Sequence, residues 1–247
     1  MNLFFAETEI NTIDKTLLSK YGTKEFKSPT RSTVALLSWL KHEPLMVTAL
    51  LRYMAMSDNC ELHLEYQVQH QAGIGQASHT DLMVIAGESA IAIEAKWTEP
   101  RYDTVAKWLE KGSSNRQNVL EGWLGMLSKK YDSKFDKAIY QMVHRAASAS
   151  KTGSKPGLAY LVFKPSPAPK AATSLQIYED LKCLRTELGN PAGFPFYMIE
   201  VYMTPTDAFK AIELLSKGQD TTADQVRAAL SGDKPLFTFD KFCVTKI

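Results

Sequence analysis

Cysteine is scarce in this chain of 247 residues. Cys60, Cys183 and Cys243 are odd in number, widely spaced and form no CxxC pair, which argues against a disulfide framework or a cysteine metal site. No uninterrupted run of about 18 apolar residues occurs, so the sequence gives no support for a membrane-spanning helix. The start, MNLFFAETEI, has no basic region and reaches its first acid at Glu7, unlike a secretory signal. We therefore expect a cytoplasmic protein with no membrane partner.

Several familiar catalytic motifs are also missing. The sequence contains no GxxxxGK[ST] and no GxGxxG, so built-in ATP hydrolysis and dinucleotide binding are not supported. No GxSxG is present, which lowers the case for a serine hydrolase. The five histidines show no HExxH spacing, which makes a zinc site improbable.

The composition is that of an ordinary globular protein, with 45% hydrophobic and 23% charged residues and a net charge of +2. Positive charge is concentrated between Arg101 and Lys155, where eleven Lys or Arg residues face five Asp or Glu residues. Such a segment suits contact with phosphates, and equally a solvated basic helix face.

Hydrophobic periodicity predicts an α/β protein with a mixed β-sheet flanked by helices. Residues 1–29 form an N-terminal segment with a short helix, 30–205 the main domain, and 206–247 a C-terminal helical extension packed on it. Alternation of apolar and polar residues predicts strands, and spacing of three to four predicts helices. Strands are expected at 61–68, 81–86, 89–97, 157–163 and 196–203, and helices at 32–40, 45–56, 104–109, 117–127, 137–150, 174–188, 207–216 and 223–230.

The informative segment is HTDLMVIAGESAIAIEAKW, residues 79–97. Because side chains alternate along a strand, Glu94 and Lys96 project from one face while Ile91 and Ile93 bury the other. Asp81 stands at the entrance of the preceding strand, which a short turn at 87–88 can pair antiparallel with the next. The sequence therefore predicts that Asp81, Glu94 and Lys96 approach one point.

These residue types suit phosphodiester chemistry. Carboxylates supply hard oxygen ligands for Mg²⁺, which usually takes one or two of them together with waters and phosphate oxygens. A bound metal lowers the pKa of its water and offsets charge on the phosphate. A lysine beside that water can orient it, deprotonate it or stabilise the transition state.

The arrangement resembles the PD-(D/E)xK nuclease superfamily, with Asp81 followed by Glu94-Ala95-Lys96 in a helix–strand–strand–strand–helix–strand order over roughly residues 30–165. The resemblance implies a restriction-endonuclease-like fold and Mg²⁺-dependent hydrolysis of DNA, with Mn²⁺ able to substitute, in restriction, repair or defence. Asp81, Glu94 and the backbone carbonyl of Ala95 would bind metal, and Lys96 would assist the attacking water. A homodimer is also implied, because cutting two strands often needs two active sites.

Auxiliary residues follow less directly. Thr80 stands where the superfamily motif has proline, and Glu65 is a candidate for a further acidic ligand. Some related nucleases carry a glutamine on a later helix; Gln141 or Gln117 could fill that place, although neither lies in a Gln-x-x-x-Tyr sequence.

Two basic positions leave alternatives open. Arg145, with its neighbour His144, is either a clamp for DNA phosphates or a pair on a helix surface. His79 either approaches a phosphate or is a turn histidine with no ligand role.

Two rival hypotheses remain. The chain could be a nuclease-like fold that binds DNA or protein without cleavage. It could instead be an unrelated α/β protein in which Asp81, Glu94 and Lys96 form a surface salt-bridge network, worth only about 0–1 kcal/mol.

Overall fold

The computed structural model describes residues 1–112, 114–218 and 223–247, which form nine α-helices, two 3₁₀ helices and eight β-strands. The helices are α1 (Lys15–Lys20), α2 (Ser32–His42), α3 (Pro44–Tyr53), α4 (Val105–Glu110), α5 (Ser114–Met126), α6 (Tyr140–Thr152), α7 (Ser174–Glu187), α8 (Asp207–Gly218) and α9 (Ala223–Ser231). The strands are β1 (Asn2–Phe5), β2 (Thr8–Ile10), β3 (Glu61–Val68), β4 (Ser78–Ala86), β5 (Ser89–Lys96), β6 (Lys155–Lys164), β7 (Phe196–Pro205) and β8 (Phe237–Lys246). The 3₁₀ helices are Thr23–Phe26 and Ser133–Lys137.

All eight strands join one mixed sheet in the order β2-β1-β3-β4-β5-β6-β7-β8. The pairs β1–β3, β5–β6 and β6–β7 are parallel, and the other neighbours are antiparallel. The strand β6 lies between two parallel neighbours and is buried from Gly157 to Phe163. This burial explains its continuous apolar sequence, since a parallel strand covered on both faces needs no polar side.

Helices cover both faces of the sheet. Trp39 and Phe163 belong to the core beneath α1, α2, α3, α8 and α9, and Trp123 and Tyr160 to the core beneath α4, α5, α6 and α7. The protein is therefore an α/β protein in three layers, as the sequence predicts, with one hydrophobic core on each side of the sheet.

The two ends of the chain differ from the sequence-based prediction. Residues 1–29 contain α1, but they also supply β1 and β2, and β1 pairs in parallel with β3. The segment 206–247 contains the helices α8 and α9, as predicted. It also contains the strand β8, so the prediction that this extension is entirely helical is wrong. Phe237 and Phe239 are buried, and a register shift opposite Tyr202 and Met203 interrupts the alternation, which obscures the period of two.

Among the described residues, no single helix is both long and apolar enough to cross a membrane. In the part of the chain that the structure describes, α2 and α3 taken together are the one pair with the required length and composition, and they are bent by 100° at their junction.

Candidate active site

Strand register places Asp81, Glu94 and Lys96 side by side. The strands β4 and β5 pair with Leu82 opposite Ile93, so Asp81 comes level with Glu94 one step further along. Glu94 and Lys96 point toward α6, because alternation sends Ile93 to the opposite core. The Oδ2 atom of Asp81 accepts a hydrogen bond from the Ala95 amide at 2.8 Å. The structure thus brings together the three residues that the sequence predicts to approach one point.

This cluster lies inside the protein and not on its surface. Glu94 and Lys96 keep only 3% and 5% of their surface exposed, and Asp81 is partly exposed. The hypothesis of a surface salt-bridge network is therefore wrong. Charged side chains are almost never fully buried unless they are paired, so the partners of Glu94 decide how the cluster is held.

Three donors occupy the two carboxylate oxygens of Glu94. Oε1 accepts from Lys96 Nζ at 2.9 Å and from Gln141 Nε2 at 2.7 Å, and Oε2 accepts from Arg145 Nε at 2.5 Å. Gln141 and Arg145 are four residues apart on α6, so they lie on one face of the helix. This face of α6 covers the carboxylate and fixes its orientation.

A second set of bonds anchors Arg145 to β4. Its Nη1 atom donates to Ser78 Oγ, and Ser78 Oγ lies 2.9 Å from His144 Nδ1. Burial and the neighbouring Arg145 charge hold the pKa of His144 well below its ordinary value, so a neutral His144 ring can accept from Ser78. Arg145 is 6% exposed. It is therefore neither half of a surface pair nor turned toward solvent as a phosphate clamp, and it supports Glu94 instead.

The charges of Glu94 and Lys96 stabilise each other. Burial opposes ionisation of Glu94, but the Arg145 and Lys96 charges outweigh it and lower its pKa to about 2. Burial likewise disfavours the charged form of Lys96, yet Glu94, with Tyr102 and Asp81, raises the pKa of Lys96 above its ordinary value. Lys96 is thus an ammonium at neutral pH. It can donate hydrogen bonds or stabilise negative charge, but it is a poor base in this state.

Asp81 and Glu65 have raised pKa values, whereas the pKa of Glu94 is lowered. Burial and the nearby Glu94 and Glu65 carboxylates raise the pKa of Asp81 well above its ordinary value, although Arg145 and Lys96 oppose the shift. Burial and the Glu25 charge raise the pKa of Glu65 to about 7. Glu65 also has a left-handed backbone, with φ of 51°. Both carboxyl groups are therefore harder to ionise than ordinary Asp and Glu side chains.

The remaining predicted residues are placed as follows. His79 belongs to β4 and not to a turn; its Nδ1 atom lies 3.5 Å from Glu65 Oε2, and its side chain is 47% exposed. Gln117 is exposed on α5, and Gln141 is the glutamine that binds Glu94. Tyr102 covers Lys96, with its ring centroid 4.2 Å from Nζ.

The donor atoms fit a hard cation in their chemistry. Among residues 1–112, 114–218 and 223–247, no group of three or more His, Cys, Asp or Glu side chains is arranged to hold a metal ion. Mg²⁺ needs only one or two carboxylates, because waters complete its coordination. Asp81 and Glu65 suit this role, since a bound cation would favour the ionised carboxylates that burial and neighbouring negative charges disfavour. A bond from Glu94 would replace one from Lys96, Gln141 or Arg145.

Comparison with known proteins gives a family without an activity. Residues 8–190 match the family model described as Domain of unknown function (DUF6946). The chain belongs to this family. No curated protein and no solved structure matches the chain.

The family match covers about three quarters of the chain. It spans the structure from β2 to the end of α7 and includes every residue of the cluster. The last two strands of the sheet, with α8 and α9, follow it. The candidate site is therefore wholly within the DUF6946 domain.

Two further residues of the cluster were not predicted from the sequence. Ser78 receives the Arg145 bond described above, and Tyr160 lies level with Glu94 on β6 and donates from Oη to Gln141 Oε1 at 3.5 Å. The register of the sheet positions both Ser78 and Tyr160 beside the cluster. Ser78 precedes Asp81 by three residues, and this proximity was the only signal available in the sequence. The position of Tyr160 beside Glu94 could not be predicted, because the sequence does not reveal the parallel register of β5 and β6.

Proposed function

We propose that this protein is a metal-dependent nuclease that hydrolyses DNA phosphodiester bonds, with a restriction-endonuclease-like fold. The observation that carries the proposal is the cluster itself: Asp81, Glu94 and Lys96 meet on one face of a β-hairpin in the interior of the protein. Strongly shifted pKa values from burial combined with specific charge partners are typical of catalytic sites. The superfamily resemblance supplies the reaction type.

Each residue has a distinct task in this proposal. Asp81, Glu94 and the Ala95 carbonyl would hold Mg²⁺ or Mn²⁺, with Glu65 as a further ligand. The metal, when bound, supplies an acidified water and charge stabilisation at the phosphate. Lys96, held as an ammonium by Glu94, donates to the attacking water or the phosphate oxygens. Arg145 and Gln141 are positioning residues that fix the Glu94 carboxylate.

Substrate access follows from exposure. Glu94 and Lys96 are buried, whereas Asp81 and Glu65 are partly exposed and His79 is exposed. A phosphate therefore reaches the cluster from the side of β3 and the start of β4. His79 stands at this entrance, where its ring can contact a DNA phosphate.

The first experiment incubates supercoiled plasmid with the purified protein and Mg²⁺, Mn²⁺ or EDTA. We expect metal-dependent nicking or linearisation by wild type and a loss of at least about 100-fold in Lys96→Ala, the range that loss of one donor to a developing negative charge costs. Lys155→Ala is the matched control, because Lys155 is an exposed lysine paired with Glu88 beside the β4–β5 turn, at the opposite end of β5. Equal cleavage by wild type and Lys96→Ala would refute the proposed role of Lys96.

Metal binding is measured separately by calorimetry. We expect Asp81→Asn to lose heat of binding for Mn²⁺ while it remains folded, since neutralising a carboxyl whose pKa is already raised leaves no new buried charge.

Sedimentation of wild type with and without DNA tests the homodimer, which the proposal includes because two strands need two sites.

A non-catalytic DNA-binding role is the second candidate. It is favoured by one observation: both oxygens of Glu94 are already engaged by Lys96, Gln141 and Arg145. This candidate predicts salt-sensitive DNA affinity, no cleavage in any metal, and no difference in Mn²⁺ binding between wild type and Asp81→Asn.

A further inference from the structure

The loop between β3 and β4 presents an isoleucine beyond the strand ends nearest to the candidate site. Ile74 is 85% exposed, and residues 71–76 are all exposed. Single exposed apolar residues are common and need no explanation by themselves. The way in which this loop is held makes Ile74 different.

One face of α5 fixes three consecutive loop residues. The Asn115 side chain accepts from the Ile74 amide at 2.7 Å and donates to the Ile74 carbonyl at 2.7 Å, so it binds this residue as a neighbouring strand would. One turn further along α5, Gly73 packs so closely on Val119 that a Cβ atom would lie 2.7 Å from Val119 Cγ2.

The third contact is as close as the second. A Cβ atom on Gly122 would lie 2.6 Å from the backbone nitrogen of Ala72. Residues 115, 119 and 122 are spaced by four and three, so they form a single stripe on the helix. Gly73 also has φ of +81°, a conformation that other residues rarely adopt. The loop is therefore held rigidly against α5, and it projects the Ile74 side chain into solvent.

The charge and position of the loop indicate its partner. From Tyr66 to Thr80 the chain contains no Asp, Glu, Lys or Arg, although it lies between Glu65 and Asp81. Nothing in this segment repels a polyanion, and it borders the open side of the cluster. Asp81 follows Ile74 by seven positions, so their Cα atoms are at most ~25 Å apart. This distance corresponds to about seven base pairs at ~3.4 Å each.

We propose that Ile74 is a wedge that inserts between stacked bases of duplex DNA bound at the candidate site. The proposal rests on DNA as the substrate of that site. Apolar side chains on DNA-bending proteins act in this way, and they unstack and kink the duplex. A rigid loop suits the task because little conformational entropy is lost when it binds.

The test uses a panel of duplexes, intact, nicked or mismatched, each carrying 2-aminopurine, whose fluorescence rises when it is unstacked. Binding is measured in EDTA, so metal-dependent cleavage does not interfere. We expect wild type to raise the fluorescence, and Ile74→Ala to abolish the rise and weaken Kd about tenfold, as the loss of one buried aliphatic side chain implies. Gly122→Ala, which displaces the loop without touching Ile74, should reduce the rise as well.

Leu45→Ala is the matched control. Leu45 is 84% exposed at the start of α3, which follows the C-terminal end of α2. The opposite, N-terminal end of α2 is the one that contacts Glu99 through Ser32. We expect its Kd and fluorescence to equal those of wild type. If Ile74→Ala unstacks and binds DNA like wild type, or if wild type raises no fluorescence in any duplex, the wedge is refuted. A change of oligomeric state in Ile74→Ala with unaltered DNA binding would identify a protein contact instead.

The proposal that Ile74 is a wedge and the proposal that the protein is a nuclease can be refuted independently of each other. Loss of unstacking in Ile74→Ala without cleavage by wild type would retain the wedge and refute the nuclease. Cleavage by wild type with no effect of Ile74→Ala would do the reverse. In a duplex that is cut, the unstacked position must lie within about seven base pairs of the cleaved bond, given the ~25 Å limit; a greater separation would contradict the proposed geometry.

Discussion

Glu65 provides a quantitative test of the electrostatics of the site. Its carboxyl has a pKa of about 7, raised from 4.5 by burial and by the Glu25 charge. Since each factor of ten in proton affinity is worth about 1.4 kcal/mol, full ionisation of Glu65 would cost on the order of 3 kcal/mol of folding stability. The side chain is 20% exposed, so solvent screening reduces the expected effect to about 2 kcal/mol.

The sign of the effect is fixed by proton linkage. Between pH 4.5 and 7 the native state retains a proton that the unfolded chain has released, so the stability contributed by Glu65 falls as pH rises through this window. Above pH 7 the cost is complete. Glu65→Gln should therefore be more stable than wild type by about 2 kcal/mol at pH 8.5, with little difference near pH 4.5. The nearby His79 has a lowered pKa, so no ion pair is lost at pH 8.5.

Urea unfolding in EDTA, followed by tryptophan fluorescence at both pH values, measures this difference. Glu88→Gln is the control: Glu88 pairs with Lys155 at 2.9 Å, and its pKa is lowered by that bond, so neutralising it should not stabilise the protein. Equal gains for Glu65→Gln at the two pH values, or a loss at pH 8.5, would show that the electrostatic reasoning is wrong.

Two further predictions concern the surroundings of the site. Glu99 accepts hydrogen bonds from the amide and hydroxyl of Ser32 at 3.0 and 2.9 Å and from the amides of Trp97 and Thr98 at 2.9 and 3.1 Å. Glu99→Gln should lower the free energy of unfolding at pH 7 by about 1–3 kcal/mol, measured by urea titration, and an unchanged value would contradict this anchoring role. Lys41 Nζ donates to three successive carbonyls at the end of α9, at 2.8 to 3.0 Å. Lys41→Met should speed proteolytic cleavage within residues 206–232, and an unchanged digestion pattern would refute that prediction.

The central hairpin could be predicted because its burial leaves a simple pattern. Strict alternation from Glu61 to Val68 gives the bounds of β3, and the apolar residues around Gly87 give the turn and β5 to within one residue, whereas the predicted β4 lacks the first three residues, Ser78–Thr80. Once the hairpin is known, the parity of Glu94 and Lys96 fixes their common face. The sequence therefore contains the relative positions of Asp81, Glu94 and Lys96.

The environment of these residues could not be predicted in the same way. Arg145 follows Glu94 by 51 positions, and its contact depends on how α6 crosses the sheet. Charged residues on a strand usually mark a solvent face, so the 3% exposure of Glu94 has no local signal in the sequence. The strands β1 and β2, at one side of the sheet, are only four and three residues long, too short for periodicity to identify them.

The cost of the buried charges bears on the proposed function. Apolar side chains of similar size often replace a buried ion pair with no loss of stability, and Asp81 has a raised pKa because it is buried and because other carboxylates crowd it. A cluster that served only packing would gain nothing from this crowding. A site that binds a cation would, because the same crowding increases the attraction for metal. Stability in EDTA and affinity for Mn²⁺ should therefore change in opposite directions in Asp81→Asn and Glu65→Gln. A purely structural network predicts that neither variant alters metal affinity.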